Sequence, residues 1–467
     1  MKKLLPLFLT LILLACAAGC DLRPDRLVAI DPPDMPVTAV PSATPEGWTT
    51  PEPAETDEVV TTPTPAPTPE VYVPASVEEA ISVYEATPLD YESVTREAEQ
   101  PIEPIPEPRY TMGADGIYRS SESANDNQAI IMLTGDLMCQ TRQQEVAKTS
   151  RGYSFNGSFA YVKDIFATAD LVVGNLEATL CESAPYMAEL IEVEGRPHLN
   201  APATFLEALR YAGYDMVVMS NNHNIDTGVR GIYDTLDRVD EYRLIHTGLF
   251  RNEAECRYTV VNVDGINIGF MSYATYFNHK EEHLTSEGVR VLLNPYSKEI
   301  VARDVAAVKA AGAEYVIVYI HWGVEYMNEP EEQQYIWAQE LADAGVDYII
   351  GSHPHALQPY DILTAADGRQ VPIVYSMGNF VSHQEKVVTK DTLILRIVIE
   401  KTEDGRVYLA NEGYISCRVF KTFFGKDYAV VPVVTPYNGG IYSQYFGPAY
   451  DRITQIMGDK IAALGSL

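Results

Sequence analysis

The sequence predicts an α/β domain whose first half pairs strands in parallel and whose second half adds a mixed or antiparallel sheet, all preceded by a long linker. Three observations predict this. From Gln128 onward, apolar runs of strand length alternate with segments of helical periodicity. Asp264-Gly265 and Asp404-Gly405 each sit between two strand-like runs, which is a hairpin signature. Before Gln128 the composition is rich in Pro, Thr and Glu and lacks such periodicity.

Residues 1–20 read as a lipoprotein signal peptide. Lys2 and Lys3 form a positive start, and Leu4 to Ala15 form an apolar stretch too short for a membrane-spanning helix. The stretch ends in Leu13-Leu-Ala-Cys16 and Ala17-Ala-Gly-Cys20, both similar to a bacterial lipobox. Cys20 is the expected lipidation site, because Gly19 precedes it and a polar tail follows at once. Cys16 has the better apolar residue three places upstream and remains the alternative. A lipid anchor would hold the protein on the outer face of the cell membrane, with affinity growing by about 0.8 kcal/mol per buried CH₂.

Residues 21–127 read as a disordered, acidic linker. They hold 18 of the 30 prolines, and their 22 acidic and 5 basic residues supply −17 of the net charge of −31. Such a stretch buries too little apolar surface to offset its chain entropy. Within it, Val77 to Ala86 has the pattern of a short helix. The expected role is a semi-stiff stalk.

Residues 128–435 read as the folded domain, and the chain's hydrophobic fraction of 46% supports a substantial core. A first strand at Ala129–Thr134 precedes expected helices at Ser158–Ala169, Ala203–Ala212 and Gly228–Tyr242. Ser297 is the expected N-cap of a helix reaching Ala311, with Val301, Val305 and Val308 inward. Gln333–Ala344 is the next helix, ended by Gly345. Strands are expected at Tyr258–Val263, Ile266–Ser272, Val371–Ser376, Thr392–Glu400 and Arg406–Tyr414. Residues 436–467 read as a C-terminal tail, aromatic and then helical.

Five of the apolar runs end in residues that ligate metals. Asp136 follows the first strand, and Asn175 and Glu177 follow Leu171–Val173. Asn222 and His223 follow Met216–Ser220, His321 follows Tyr315–Ile320, and His353 and His355 follow Val346–Ile350. Ligands and catalytic groups gather at the C-terminal edge of strands in α/β sheets. Carboxylate, amide and imidazole together describe a site for divalent metal ions, two in number. Their identity (Mn, Zn, Fe or Mg) stays open. The acidity argues against a nucleic-acid partner. Cys139, Cys181, Cys256 and Cys417 match no zinc spacing, and either disulfides or buried thiols fit them.

The motifs, in order, resemble the CapA family of capsule or poly-γ-glutamate synthesis proteins. They are Thr134-Gly-Asp136, Gly174-Asn-Leu-Glu177, Ser220-Asn-Asn-His-Asn-Ile-Asp226 with Gly228, and His321-Trp-Gly323 with Glu325-Tyr326. Gly351-Ser-His-Pro-His355 with Gln358 and Ser376-Met-Gly-Asn-Phe-Val381 complete the set. That family is similar in fold to calcineurin-like metallophosphoesterases. The resemblance implies a four-layer αββα sandwich of two mixed sheets with a two-metal centre. By the same resemblance Asp136 and His355 serve one ion, Glu177 (or Asn175) bridges, and Asn222, His321 and His353 serve the other. An anionic group suits a bridge between cations, which favours Glu177. His223 would act as general acid, with Asp226 orienting it. Asn379 is expected to hold the turn beside the site. One departure stands out: the phosphoesterases carry Asp-x-His on the first strand, and this chain has Asp136-Leu-Met138, a poor ligand for a hard ion.

Two functions are implied. One is an accessory role in making, exporting or anchoring poly-γ-glutamate, lipid-anchored beside a membrane synthase and binding the anionic polymer through metal. The other is a metal-dependent phosphoesterase or related hydrolase, including a 5′-nucleotidase-like enzyme, acting on envelope or extracellular substrates.

Overall fold

A computed structural model describes residues 71–89, 93–96, 100–124, 126–190, 198–421, 428–433 and 443–465. The signal peptide, both lipobox cysteines and the Pro-rich residues 21–70 lie outside the described residues.

Two mixed sheets form the body. The first runs in the order Tyr110–Met112, Ile117–Ser120, Thr259–Val263, Ile266–Ala274, Tyr315–His321, Tyr348–Ser352, Gln370–Met377, Leu357–Thr364. The pairs from Ile266–Ala274 through Gln370–Met377 are parallel, as is Ile117–Ser120 with Thr259–Val263, and the remaining pairs are antiparallel. The second runs Tyr428–Pro432, Val407–Lys421, Asp391–Lys401, Gln128–Leu137, Leu171–Leu176, Met216–Val218, Ile245–Thr247, with Asn379–Val381 pairing on Gln128–Leu137.

Alternation along each strand sorts side chains into layers. Ile131, Leu133, Leu171, Val173, Met216 and Val218 of the second sheet pack against Ile268, Phe270, Ile317, Tyr319, Tyr348 and Ile350 of the first. The intervening Met132, Val172 and Val217 face outward onto Phe205, Leu209, Ile232 and Leu236. Those four come from the helices Thr204–Ala212 and Gly228–Glu241. On the other side, Val316, Val318, Ile320 and Ile349 meet Val301, Val305, Val308, Leu341 and Ala342 of the helices Lys298–Ala310 and Glu332–Ala344. Helix, sheet, sheet, helix is the four-layer αββα order.

Local chemistry sets the boundaries. The Ser297 side chain accepts from Ile300 N–H, and Gly345 closes its helix at φ 103°. Asp264 (φ 45°) and Gly265 (φ 92°) turn the first hairpin in the left-handed region.

Four expectations are corrected. The linker does not extend to residue 127. Ser76 caps a helix at Val77–Tyr84, whose Ala80 and Tyr84 enter the core. Ile117–Ser120 pairs in parallel with Thr259–Val263. The helix falls within the one expected at Val77–Ala86, whereas composition hid the strand, because few apolar residues are needed to join an existing sheet edge. Nor does the domain end at residue 435, because the expected helical part of the C-terminal tail packs into it. The helix Ser443–Met457 sends Ala449, Ile453 and Met457 into the inter-sheet core, and Arg452 Nε donates to Asp391 at 2.6 Å. The Ser158–Ala169 helix shrinks to Lys163–Phe166, preceded by a 3₁₀ turn at Asn156–Ser158. Thr168 donates back to the Ile165 carbonyl at 2.7 Å, an alternative to continued helix. Last, the antiparallel strands after residue 390 do not build a separate sheet but extend the one begun at Gln128–Leu137. Of the four cysteines in the domain, Cys139, Cys181 and Cys417 are buried and Cys256 is exposed.

Candidate functional site

Strand parity and one bulge aim the polar residues. Leu133 pairs with Val173, yet Asp136 pairs with Asn175, so the first strand carries one extra residue. That bulge keeps Asp136 on the inter-sheet face of Ile131 and Leu133. It also requires Gly135, where a Cβ would meet the Gly378 carbonyl oxygen at 2.0 Å. Asn175 and Glu177 continue the inward parity of Leu171 and Val173. His321 continues that of Ile317 and Tyr319, and Ser352 that of Tyr348 and Ile350. Gly351 sits where a Cβ would collide with the Tyr375 carbonyl oxygen at 1.8 Å. His353 (φ 94°) and His355 (φ 57°) occupy the left-handed region, a strain typical of residues held for function.

All six expected metal ligands converge, and all are buried. Asp136, Glu177 and His321 present ligand atoms within 4.8 Å of one another, a group able to hold a metal ion. Glu177 Oε1 lies 3.7 Å from His223 Nε2, 3.9 Å from His321 Nε2 and 3.9 Å from His355 Nε2. His321 Nε2 is 2.9 Å from Asn222 Oδ1 and 3.1 Å from His353 Nδ1. His355 Nδ1 is 3.6 Å from Asp136 Oδ2 and 2.8 Å from Asn379 Oδ1, so Asn379 orients an imidazole as well as holding its turn. Asn175 Nδ2 donates to Asp136 Oδ1 at 2.8 Å. At the position of the missing histidine, Met138 is buried, with its N–H on the Val381 carbonyl at 3.0 Å.

The donor set fits a cation. Both carboxylate oxygens of Glu177 and the Oδ1 of Asn175 are buried without a hydrogen-bond partner. An ionised carboxylate left so is costly unless a cation balances it. Burial, then the Asp136 and Glu325 carboxylates, hold the Glu177 carboxyl well above the usual range. Burial and then the neighbouring imidazoles push His321 and His353 well below the ordinary histidine value. Both are therefore neutral, the form that ligates metal.

The expected His223–Asp226 pair also forms, with Nδ1 2.7 Å from Asp226 Oδ2. Burial works against the Asp226 charge, but His223 and then Lys280 outweigh it and hold the carboxyl down at about 2. Four residues at the site carried no motif in the sequence. Lys280 donates to Asp226 Oδ1 at 2.5 Å, and Asn278 Oδ1 accepts from Asn222 Nδ2 at 3.0 Å. Tyr276 Oη lies 2.5 Å from His353 Nε2. Lys386 Nζ sits 3.2 Å over the Tyr326 ring, whose centroid is 6.0 Å from that of His355. Phe277-Asn-His-Lys280 has no distinctive spacing, so only the fold could reveal it.

Comparison with known proteins adds the following. Residues 130–384 match the family model described as "Bacterial capsule synthesis protein PGA_cap". The chain is 30% identical to the "Capsule biosynthesis protein CapA" of Bacillus anthracis over 281 residues, covering 58% of this chain and 64% of that protein. It is 28% identical to the "PGA biosynthesis protein CapA" of Bacillus subtilis (strain 168) over 284 residues, 60% of this chain and 70% of that protein. A "Probable polyglutamine synthesis accessory protein" of Mycobacterium tuberculosis is 27% identical over 230 residues, 47% of this chain and 57% of that protein. Among solved structures, a calcineurin-like phosphoesterase, YfkN of Bacillus subtilis, aligns with TM-score 0.40 and 14% identity over 70% of this chain and 97% of that one. The NAD nucleotidase of Haemophilus influenzae aligns with TM-score 0.39 and 12% identity over 72% and 64%.

Proposed function

This chain belongs to the bacterial capsule synthesis protein family, and on that premise we propose that it is a lipid-anchored, extracytoplasmic protein that handles an anionic capsule polymer of the poly-γ-glutamate kind at a divalent-metal centre. One observation carries the reading: the unpartnered Glu177 carboxylate, buried among three imidazoles and Asp136. Asp136 and His355 would hold one ion, and Asn222, His321 and His353 a second, with Glu177 between them. When bound, such ions polarise a carbonyl or phosphoryl oxygen and lower the pKa of water. The chain's own residues do the rest. Asp226 fixes the His223 ring so that Nε2 faces Glu177 and can hold or deliver a proton there. Tyr276 and the Lys386–Tyr326 pair flank the imidazoles, the latter offering a cation to a polymer carboxylate.

Purified protein loaded with manganese or zinc is expected to retain poly-γ-glutamate, and a chelator is expected to release it. Equal retention with and without metal would end the reading. The second reading, a metal-dependent phosphoesterase, draws on the His223–Asp226 pair. Rapid turnover of p-nitrophenyl phosphate by metal-loaded protein that never retains the polymer would favour it.

Anchoring is supported by the sequence alone. Replacing Cys20 with alanine is expected to move the protein from the membrane fraction to the soluble one, with a membrane synthase as its natural neighbour in the wild type. Release by Cys16→Ala, and not by Cys20→Ala, would reassign the site.

A further inference from the structure

We infer that Lys280 is a positioning residue for the site: it holds Asp226 in the one orientation that leaves His223 with its proton on Nδ1 and its Nε2 turned to Glu177. The inference rests on His223 serving the site proposed above. Asp226 is buried and receives donors on both oxygens. Lys280 Nζ donates to Oδ1 at 2.5 Å, while Leu199 N–H donates to Oδ2 at 2.6 Å and His223 Nδ1 lies 2.7 Å from that same oxygen. A carboxylate that only accepts must find the proton on Nδ1 of the ring. Nε2 is then the atom left facing Glu177, 3.7 Å away.

Lys280 reaches this point from a distant part of the chain. It lies past the end of the Ile266–Ala274 strand, 54 positions beyond Asp226. Its side chain is brought inward by two consecutive left-handed residues, Asn278 (φ 57°) and His279 (φ 59°), neither of them glycine. Such a backbone persists only where its surroundings hold it. Asn278 in the same turn accepts from Asn222 Nδ2, which leaves Asn222 Oδ1 facing His321 Nε2. One strained turn therefore braces both members of the Asn222-His223 pair from outside their own loop. The N-terminal segment backs it: Ala86 N–H donates to the His283 carbonyl at 2.7 Å, and Thr285 N–H to the Tyr84 carbonyl at 2.8 Å. A lysine whose work were only to pin the turn would not need to address the oxygen pair that sets the tautomer of an imidazole.

The test reads the imidazole directly. Long-range ¹H–¹⁵N spectra of histidine-labelled, metal-free protein are compared for wild type, Lys280→Met and Lys280→Arg, with His223→Gln assigning the resonance. Wild type is expected to show the Nδ1-protonated form at His223. Lys280→Met is expected to lose that single tautomer, and Lys280→Arg to restore it. A Lys280→Met protein that melts cooperatively and keeps the Nδ1–H tautomer would overturn the inference. If Lys280→Met does not fold, Lys280→Arg decides alone: a folded arginine variant without the Nδ1–H tautomer overturns it equally. Neither readout needs metal, polymer or turnover, so failure of the proposed function would leave this result intact, and the reverse.

Discussion

Replacing Glu177 by glutamine is expected to abolish divalent-metal binding and, in the same protein, to raise the melting temperature of the metal-free form. The two effects share one cause. Glu177 is fully buried, neither oxygen has a hydrogen-bond partner, and Asp136 adds a second carboxylate beside it. A buried polar atom left unsatisfied costs about 1–3 kcal/mol, and a charge costs more. Glutamine keeps the shape, cannot ionise and brings two donors to a neighbourhood of acceptors. Recovery of only about 1 kcal/mol would raise the melting point by about 1 °C in a domain of this size. The same change removes the carboxylate whose Oε1 lies within 4 Å of three imidazoles. Loss of an outer-shell partner alone lowers metal affinity by about 10–100-fold, and loss of this carboxylate should exceed that. Calorimetric titration with zinc or manganese checks the first effect, and thermal melts after chelation check the second.

The pH dependence follows with a definite sign. In the metal-free fold the Glu177 carboxyl is held well above the ordinary value near 4.3. Below that ordinary value the group is protonated in both states and its favourable contribution is fully present. As pH rises through the folded value, the unfolded chain has already released the proton and the folded protein resists doing so, so stability falls. Metal uptake must displace the same proton, and affinity should therefore climb with pH. His321 and His353 act in the opposite sense, because their folded values are depressed. They lose stability as pH falls below about 6.5. Glutamine at 177 leaves those imidazoles in place, so the difference between wild-type and variant melts from pH 5 to 8 isolates the carboxyl. A metal affinity within tenfold of wild type would remove Glu177 from the centre.

What could be read before the fold was known follows from what each residue depends on. Asp136, Glu177, Asn222, His321, His353 and His355 each end an apolar run, so their place at C-terminal strand edges followed from the rule for parallel strands. The meeting of two such edges, one from each sheet, was implied only by the family resemblance. The reason Asp136 faces the site was not visible. Straight alternation from Ile131 and Leu133 would have turned Gly135 inward, and only the bulge against Leu171–Leu176 restores Asp136. Lys280 was invisible for a different reason. Its partner lies far back in the chain, and its direction comes from two left-handed residues that no periodicity announces. Composition misled at the end of the expected linker, where the pattern announced a helix at Val77–Ala86 but neither its packing nor the strands that follow. The acidic, Pro-rich character of residues 21–127 is real, yet Ser76–Tyr84 and Tyr110–Ser120 within it pack onto a surface supplied by later residues.

That error has an experimental counterpart with a large effect. A chain beginning at Gln128, the start of the domain by composition, is expected to be insoluble or to lack a cooperative melt, whereas one beginning at Val71 should fold. The shorter chain loses Tyr84 and Tyr110, both buried, and Ile117. Burial of each such side chain is worth about 1.5–3 kcal/mol. It also loses Arg109, which pairs with the buried carboxylate of Asp215 and donates through Nη1 to the Ala169 carbonyl at 2.7 Å. Asp215 in turn accepts from Val172 N–H at 3.0 Å, in the heart of the second sheet. Stripping one partner from a fully buried ion pair costs about 3–5 kcal/mol, and the cost here is smaller because the Arg109 side chain is 34% exposed. Together these losses are on the order of 10 kcal/mol, comparable to the whole stability of a typical domain at about 5–15 kcal/mol. Removal of Ile117–Ser120 also bares Thr259–Val263 as an unprotected edge, a template for aggregation. The helix Val77–Tyr84 goes as well, and with it the main-chain contacts that back the Lys280 turn. Partition between soluble and pelleted fractions, followed by thermal melts of whatever is soluble, decides the matter. A chain from Gln128 that melts within a few degrees of the chain from Val71 would mean that the N-terminal segment decorates the domain and does not complete it.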